Sequence, residues 1–234
     1  MAYYITGDCH GHFDTLIWFQ RFNLKMTGED VMILLGDVGL NYFLDEKDQE
    51  KKEILGDFPN EFLCIHGNHE ARPESMESYK VKEWHGGIVY YEPAYPNILF
   101  AKDGEIYDFD GKKAVAIGGA YSVDKEYRLL VGVGHPWFAD EQPSAEIRQY
   151  VEKKLEAAGW KVDYVLSHIC PRRYEPVDLF LPFIDQSKVD KTTENWLDSI
   201  AQKLKYERWY FGHYHENREY ADATMLYEEI QEIG

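Results

Sequence analysis

The stretch Val31-Met32-Ile33-Leu34-Leu35-Gly36-Asp37 decides the fold class, since five consecutive apolar residues end on a glycine and an aspartate. A short apolar run without polar alternation is typical of a strand buried on both faces. Similar runs at Tyr3–Thr6 and Phe62–His66 lie on either side of it, and the segments between them, Thr15–Phe22 and Lys47–Leu55, have the character of helices. This strand–helix–strand order predicts right-handed crossovers and a partly parallel sheet.

The rest of the chain predicts shorter strands, two more helices and two irregular stretches at residues 121–143 and 172–192. The pair Asp110-Gly111 is typical of a tight turn in an antiparallel hairpin. Ser144 is expected to cap a helix that runs to about Ala158 and ends at Gly159. The other candidates are a helix over Glu194–Leu204 and strands over Gly87–Tyr91, Ile98–Phe100, Glu105–Phe109, Lys113–Ile117, Val162–Leu166, Trp209–Phe211 and Met225–Ile230. We predict an α/β fold with mixed sheets, in a single domain over residues 1–234.

The composition excludes several classes of protein. The chain has 25 Lys and Arg residues against 42 Asp and Glu, a net charge of −17, and 44% of its residues are hydrophobic. It is too apolar for a disordered chain, and no segment approaches the roughly 20 apolar residues of a membrane helix. The acidic excess argues against binding of long nucleic acids. With no signal-peptide pattern and three cysteines that share no C-x-x-C spacing, we expect a reduced, cytoplasmic protein.

Five short polar clusters share one context, because each follows an apolar strand candidate. In α/β proteins, ligands bind at the carboxyl ends of the strands, so we expect the clusters to form one site. A glycine stands beside several of them and permits close approach of the backbone. The clusters are Asp8-Cys9-His10-Gly11, Asp37, Asn68-His69-Glu70, His168 and His213-Tyr214-His215.

The residue types in these clusters favour metal binding. A lone histidine is usually a hydrogen-bonded structural residue, but two aspartates, an asparagine and several imidazoles in this arrangement suit divalent cations, with enough ligands for two ions that share a carboxylate. Paired ions about 3.5–4 Å apart promote in-line displacement at phosphorus. An imidazole that is not a ligand can then protonate the leaving group.

The series of motifs resembles the calcineurin-like metallophosphoesterase superfamily over residues 7 to 215, and the stretch Glu83–Gly87 resembles its small bacterial and prophage-type members. The motifs are G-D-C-H-G at Gly7–Gly11, G-D-V at Gly36–Val38, G-N-H-E at Gly67–Glu70, S-H at Ser167-His168 and G-H-Y-H at Gly212–His215. The resemblance implies two mixed sheets packed as a sandwich and flanked by helices. It also implies metal-dependent hydrolysis of phosphate esters.

The resemblance also implies a role for each residue. Asp8, His10 and His215 would hold one metal ion, Asp37 would bridge two ions, and Asn68, His168 and His213 would hold the second. His69 would act as general acid, and a metal-bound hydroxide would be the nucleophile. The ions could be manganese, iron or zinc, and the ligand types alone do not choose among them.

The chain departs from the Ser/Thr protein phosphatases of this superfamily at three positions. Leu40 stands where those enzymes have a carboxylate that orients the catalytic histidine, and Asn41 and His66 stand where they have arginines that bind phosphate. Other residues must therefore orient His69 and bind the phosphate oxygens. The candidates for substrate contact are Arg72, Asn41, His12 and Arg172, while Tyr121-Ser122 could reach the rim of the site.

Several functions compete with a small-molecule phosphoesterase. A protein Ser/Thr phosphatase, a phosphodiesterase or nuclease, and a non-catalytic scaffold of the same fold are the alternatives. All seven ligand positions and His69 are present, which disfavours the scaffold, and no basic groove supports a nuclease. Since two divalent ions would leave an acidic surface around a positive centre, we expect a compact phosphate ester as substrate. The preference for monoesters or diesters and the oligomeric state stay open.

Overall fold

The computed structural model of the protein describes residues 1–22 and 27–234. In these residues the chain forms two sheets and several helices. The strands are β1 (Tyr3–Thr6), β2 (Val31–Leu34), β3 (Glu61–Cys64), β4 (Lys80–Trp84), β5 (Gly87–Glu92), β6 (Tyr95–Ala101), β7 (Ile106–Phe109), β8 (Lys112–Ile117), β9 (Tyr164–Ser167), β10 (Arg208–Phe211), β11 (Arg218–Glu219), β12 (Ala223–Met225) and β13 (Gln231–Ile233). The α-helices are α1 (Asp14–Phe22), α2 (Glu46–Gly56), α3 (Lys125–Val131), α4 (Ala145–Ala157) and α5 (Thr192–Ala201).

Both sheets are mixed, as the sequence predicts. The first has the order β13-β1-β2-β3-β6-β5-β4, in which β1, β2, β3 and β6 are parallel and the outer strands antiparallel. The second has the order β11-β12-β10-β9-β8-β7, with a parallel centre of β12, β10, β9 and β8. Parallel neighbours need a crossover connection, and helices supply it between β1 and β2, β2 and β3, β8 and β9, and β9 and β10.

The sheets pack face to face, and helices cover their outer faces. In the first sheet, Ile5, Ile33 and Leu63 lie side by side and fully buried against side chains of the second sheet such as Leu166. The alternate residues of the same strands, such as Leu34, face α1 and α2. The outer face of the second sheet packs in the same way against α4 and α5. This layering confirms the predicted sandwich flanked by helices.

Besides the two-residue strand β11, which was not predicted, three elements differ from the sequence prediction. The edge strand β4 was not predicted, because its residues are mostly exposed and Val81 is 61% accessible. The single closing strand predicted over Met225–Ile230 is wrong, since β12 ends at Met225 and β13 begins at Gln231 in the other sheet. The stretch 121–143 was expected to be irregular but contains α3.

The predicted helix cap at Ser144 is confirmed: its hydroxyl accepts a hydrogen bond from the backbone N–H of Ile147. All three cysteines are free thiols. Among residues 1–22 and 27–234, no helix combines the length and the apolar character needed to cross a bilayer.

Candidate metal centre

The polar clusters converge at one edge of the sandwich. The register explains this, because Thr6, Leu34 and Cys64 lie side by side at the ends of β1, β2 and β3. Ser167 and Phe211 end β9 and β10 at one level of the other sheet. The site residues follow directly: Asp8 and His10 after β1, Asp37 after β2, Asn68 and His69 after β3, His168 after β9, and His213 and His215 after β10. We call these eight side chains the floor of the site.

Two glycines allow the floor residues to come together. A Cβ on Gly36 would overlap the ring of His168, and a Cβ on Gly67 would overlap Oδ1 of Asp37. Gly36 also has a φ of 96°, a conformation that L side chains rarely adopt. A side chain at either position would therefore displace a floor residue.

Four floor residues have a left-handed backbone although they carry side chains. The φ angle is 49° at His10, 47° at Asp37, 70° at His213 and 52° at His215. Such conformations cost on the order of 1 kcal/mol or more each and persist where the surrounding structure enforces them. Their concentration at one edge of the sandwich is typical of a functional site.

Each aspartate of the floor uses one carboxylate oxygen as a structural acceptor. Oδ1 of Asp8 accepts a hydrogen bond from the backbone N–H of His213 (2.7 Å), and Oδ1 of Asp37 accepts one from the backbone N–H of His69 (2.8 Å). Oδ2 of Asp8 is buried without a hydrogen-bond partner among residues 1–22 and 27–234. Because an unsatisfied buried carboxylate oxygen is costly, this atom fits a cation ligand.

The first group of candidate ligand atoms belongs to Asp8, His10 and His215. Nε2 of His10 lies 2.9 Å from Nε2 of His215. Oδ2 of Asp8 lies 3.3 Å from Nε2 of His215 and 3.7 Å from Nε2 of His10. Ligand atoms about 2.1 Å from one ion lie roughly 3 to 3.4 Å from each other. The three side chains therefore fit a single divalent cation.

The second group belongs to Asp37, Asn68, His168 and His213. Oδ1 of Asn68 lies 2.8 Å from Nε2 of His168 and 3.1 Å from Nδ1 of His213. Oδ2 of Asp37 lies 3.5 Å from Nε2 of His168. Nδ1 of His168 donates a hydrogen bond to the carbonyl oxygen of Leu35 (2.7 Å), which leaves Nε2 available to a metal ion.

Asp37 lies between the two groups. Its Oδ2 is 3.5 Å from Nε2 of His168 in the second group and 4.0 Å from Nε2 of His10 in the first. A carboxylate in this position can serve both groups. The combined set of carboxylate, amide and imidazole donors suits borderline divalent ions such as manganese, iron and zinc, so the residues present fit a pair of cations.

Burial and mutual charge set the protonation of the floor. Burial opposes a charged His168, but the carboxylates of Asp37 and Asp8 and the carbonyl of Leu35 together outweigh it and raise the pKa of His168 to about 9. Burial, and then the charge of His168, lowers the pKa of His213 to about 3. Burial also opposes ionisation of Asp37, yet His168 and His69 hold its pKa well below the ordinary value. The carboxylates thus draw positive charge to the centre.

His69 lies beside both groups. Its side chain is 25% exposed, and its Nε2 lies 3.9 Å from Oδ2 of Asp37. Nη2 of Arg128 lies 2.7 and 2.8 Å from the two ring nitrogens. Burial lowers the pKa of His69, and of the charges beside it, Asp37 raises this pKa while Arg128 lowers it. The charged side chain within hydrogen-bond distance of the His69 ring is therefore the guanidinium of Arg128.

Sequence reasoning missed Arg128 altogether. It lies in α3, in the stretch that has no hydrophobic period, and it is only 5% exposed. Its Nε donates to Oδ2 of Asp124 (2.8 Å) and its Nη1 donates to the carbonyl oxygen of Pro136 (3.1 Å). The one available signal is the Asp124/Arg128 spacing of four residues, which is common on helices without any functional role.

Two further residues hold floor side chains in place. The hydroxyl of Ser122 accepts a hydrogen bond from Nδ2 of Asn68 (2.8 Å), which leaves the Oδ1 atom of Asn68 to face the histidines. Ser122 thus reaches the site from a buried position. Glu70 is fully buried and accepts hydrogen bonds from the backbone N–H groups of Gly39 (2.7 Å) and Gly67 (3.4 Å), so it joins two of the motif loops.

The four candidate substrate contacts lie in different places. Arg72 is buried and donates to Asp103 (2.7 Å) and to the backbone carbonyl of Asp140 (2.8 Å). Asn41 is fully buried and accepts a hydrogen bond from the hydroxyl of Tyr79. His12 is exposed and lines a cleft beside His10, and Arg172 is exposed on a short 3₁₀ turn. Of these four, only His12 lies close to the floor.

A cavity of about 360 Å³ opens beside the floor. At one end it is lined by Asp37, Asn68, His69 and His213. Its walls come from residues 121–124 and 179–194, two stretches that lie outside the strands. The cavity therefore connects the candidate ligand atoms to surfaces formed by residues outside the sequence motifs.

Comparison with known proteins places this architecture in a family. The family model for calcineurin-like phosphoesterases matches residues 1–217. No curated protein matches the sequence. Solved structures similar to it include phosphopantetheinyl hydrolase from Mycobacterium tuberculosis (14% identity, 97% of this chain and 88% of that one, TM-score 0.49) and the protein of unknown function AQ665 from Aquifex aeolicus (16% identity, 72% and 80%, TM-score 0.35). Since the family model covers nearly the whole chain, the protein belongs to the calcineurin-like phosphoesterase family.

Proposed function

We propose that the protein hydrolyses a small phosphate ester with two divalent metal ions, and that residues 1–234 form the single domain that does so. The observation that carries this proposal is the convergence of carboxylate, amide and imidazole atoms at distances of 2.8 to 3.7 Å within two groups. Asp8, His10 and His215 would hold one ion and Asn68, His168 and His213 the other, with Asp37 shared between them. Manganese, iron and zinc are the candidate ions.

The metal ions, when bound, would polarise the phosphoryl oxygens and lower the pKa of water at the site. The chain's own residues supply the remaining functions. The floor orients the ester, since its candidate metal-ligand side chains are held in place. Asp8 and Asp37 accept backbone hydrogen bonds, and Asn68 donates one to the Ser122 hydroxyl. In this scheme His69 donates the proton to the leaving oxygen, because it lies beside Asp37 and lines the cavity.

Arg128 fits the phosphate-binding role that Asn41 and His66 cannot fill. All three side chains are buried, but only Arg128 places its guanidinium against the His69 ring. A guanidinium presents several donors in one plane and binds phosphate oxygens in pairs. We assign Arg128 to the non-bridging oxygens of the phosphate and to the positioning of His69, with its Nε held by Asp124.

The alternatives are less well supported. Leu40 is fully buried in the apolar layer of α1 and α2, so the carboxylate of the protein phosphatases has no counterpart at that position. The net charge of −17 disfavours a nuclease for long substrates. A scaffold without activity has no need of a buried carboxylate oxygen that lies 3.3 Å from the His215 imidazole and 3.7 Å from the His10 imidazole. The free thiols support a reducing compartment such as the cytoplasm.

A metal-replacement experiment with a substrate panel tests the proposal. The protein would be stripped with a chelator, reloaded with Mn²⁺, Fe²⁺ or Zn²⁺, and assayed on an aryl monoester, an aryl diester, a nucleotide and a phosphopeptide. We expect two ions per chain and turnover of an aryl ester that disappears on stripping. Full activity of the stripped protein would contradict the proposal, and so would two bound ions with no turnover of any ester.

A further inference from the structure

The cavity beside the floor has a predominantly apolar wall. This wall comprises Ile169, Leu179, Phe180, Leu181, Ile184 and Val189. Leu181 remains 48% exposed although it lines the cavity. An apolar group that filled the cavity would remove this surface from water and gain free energy in proportion to the area covered. The wall therefore recognises an apolar ligand rather than a polar one.

Charge at the far end of the cavity points the same way. Lys191 is the only Lys or Arg among the described residues that line it. Its Nζ lies 3.0 Å from Glu175 and 3.3 Å from Glu194, and its side chain is only 15% exposed. Since two carboxylates face one ammonium, this end of the cavity has no positive charge to spare. A second anionic group on the substrate would be repelled there.

The size of the cavity limits the ligand to a small molecule. A volume of about 360 Å³ lies at the lower end of the roughly 300–1,000 Å³ that is usual for small-molecule sites. One end of the cavity is the floor, where the proposed function places the phosphate. The apolar wall then receives the organic part of the same molecule.

We propose that the substrate is a phosphate ester of an uncharged, apolar alcohol, whose hydrocarbon part lies on the wall formed by Ile169, Leu179, Phe180, Leu181, Ile184 and Val189. This inference rests on the proposed function, because the phosphate must be held at the floor for the hydrocarbon part to enter the cavity. It excludes nucleotides, sugar diphosphates and acidic phosphopeptides as preferred substrates.

The test measures binding and turnover separately. The Mn²⁺-loaded protein would be titrated calorimetrically with ethyl-, butyl- and hexylphosphonate, which cannot be hydrolysed, and turnover would be followed with phenyl phosphate. We expect affinity to rise about fourfold for each methylene that enters the cavity, with a negative heat-capacity change. A hexylphosphonate that carries a terminal carboxylate should lose most of this gain.

Two variants on the same loop localise the effect. Leu181→Asp places a charge on the wall and should reduce the ratio of hexyl to ethyl affinity at least tenfold. Val177→Asp is the matched control, because Val177 is 67% exposed and is not among the residues that line the cavity. It should leave the ratio unchanged. If Leu181→Asp fails to fold, the wild-type series and the carboxylate analogue decide alone.

The outcomes separate the two proposals. Equal affinity for the three phosphonates, in a protein that hydrolyses phenyl phosphate, would overturn the inference and leave the proposed function intact. Affinity that rises with chain length, without turnover of any ester, would overturn the proposed function and retain the ligand class. Tighter binding of the carboxylate analogue would also overturn the inference.

Discussion

The floor and the walls of the cavity are built on different principles. The floor residues follow parallel strands directly, and their acceptor and donor atoms are held by hydrogen bonds between motifs. The stretches 121–143 and 171–191, which we call the rim, consist of α3 and short 3₁₀ turns and carry exposed apolar residues such as Leu130, Val133 and Phe183. The comparison indicates that the strand ends position the candidate ligand atoms, while the cavity walls, on which the proposed substrate choice depends, come from segments outside the sheets.

The largest effect should come from the floor residue shared by both groups. Asp37→Asn removes a charge and the oxygen that lies between His10 and His168. We expect loss of at least one bound ion and a fall in turnover of about a thousandfold or more, greater than the 10–100-fold that an outer partner of a ligand costs in metal affinity. Elemental analysis and an aryl ester assay check this prediction.

The matched control is Asp198→Asn, since Asp198 lies on the surface and pairs with Arg173. It should retain both ions and full activity. Two ions still bound to Asp37→Asn would refute the shared position of this carboxylate and would weaken the distinction between floor and rim.

A smaller effect is expected at His69, which belongs to the floor but not to the proposed ligand set. His69→Ala should keep both metal ions and reduce kcat by about a hundredfold, at the lower end of the scale of general acid catalysis. The reduction should be greatest for esters with poor leaving groups, because those need the proton most. His135→Ala, a substitution of an exposed rim histidine, is the control. Unchanged turnover of a poor leaving group would remove the general-acid role.

The smallest of the three effects should come from the rim. Arg128→Ala removes the guanidinium that contacts His69. We expect kcat/KM to fall about tenfold to a hundredfold, as for the loss of a charged hydrogen bond, with a higher KM for the ester. Arg128→Lys should restore only part of the loss, because an ammonium cannot bind two oxygens in one plane.

Arg173→Ala is the matched control for the rim, since Arg173 pairs with Asp198 rather than with His69. If Arg128→Ala reduced activity as strongly as Asp37→Asn, or lost metal ions, the rim would have to be regarded as part of the metal site. An unchanged KM and kcat would instead remove Arg128 from the site.

The sequence predicted the floor better than the rim for a physical reason. Each floor cluster follows an apolar run such as Val31–Leu35, and strands in register bring their ends together whatever lies between them. The contacts of Arg128 and Ser122 depend instead on how an irregular segment folds back over the sheet edge, which leaves no periodic pattern. Proximity to a motif in the sequence is likewise a poor guide to position. Arg72 follows the G-N-H-E motif and was expected at the substrate, but it lies buried against Asp103.

For the strands, too, the accuracy of the prediction depends on how strongly the local sequence determines the structure. The strands β1, β2 and β9 were predicted within about one or two residues, because they are buried on both faces and appear as continuous apolar runs. The edge strand β4 has no such run, and the boundary between β12 and β13 falls within a stretch that looked continuous. Where tertiary contacts rather than local composition decide an element, the sequence pattern has no signal to offer.

The hydrogen bond from the backbone N–H of His213 to Asp8 joins positions 205 residues apart. A loop of that length closes late, since its entropic cost is met only after intervening contacts have formed. During synthesis, a nascent chain that has not yet reached His213 cannot assemble either complete group of ligands. On the proposed function, capture of the ion pair would wait until both sheets have formed, because a truncated or misfolded chain would hold its histidines too far apart to form the paired site.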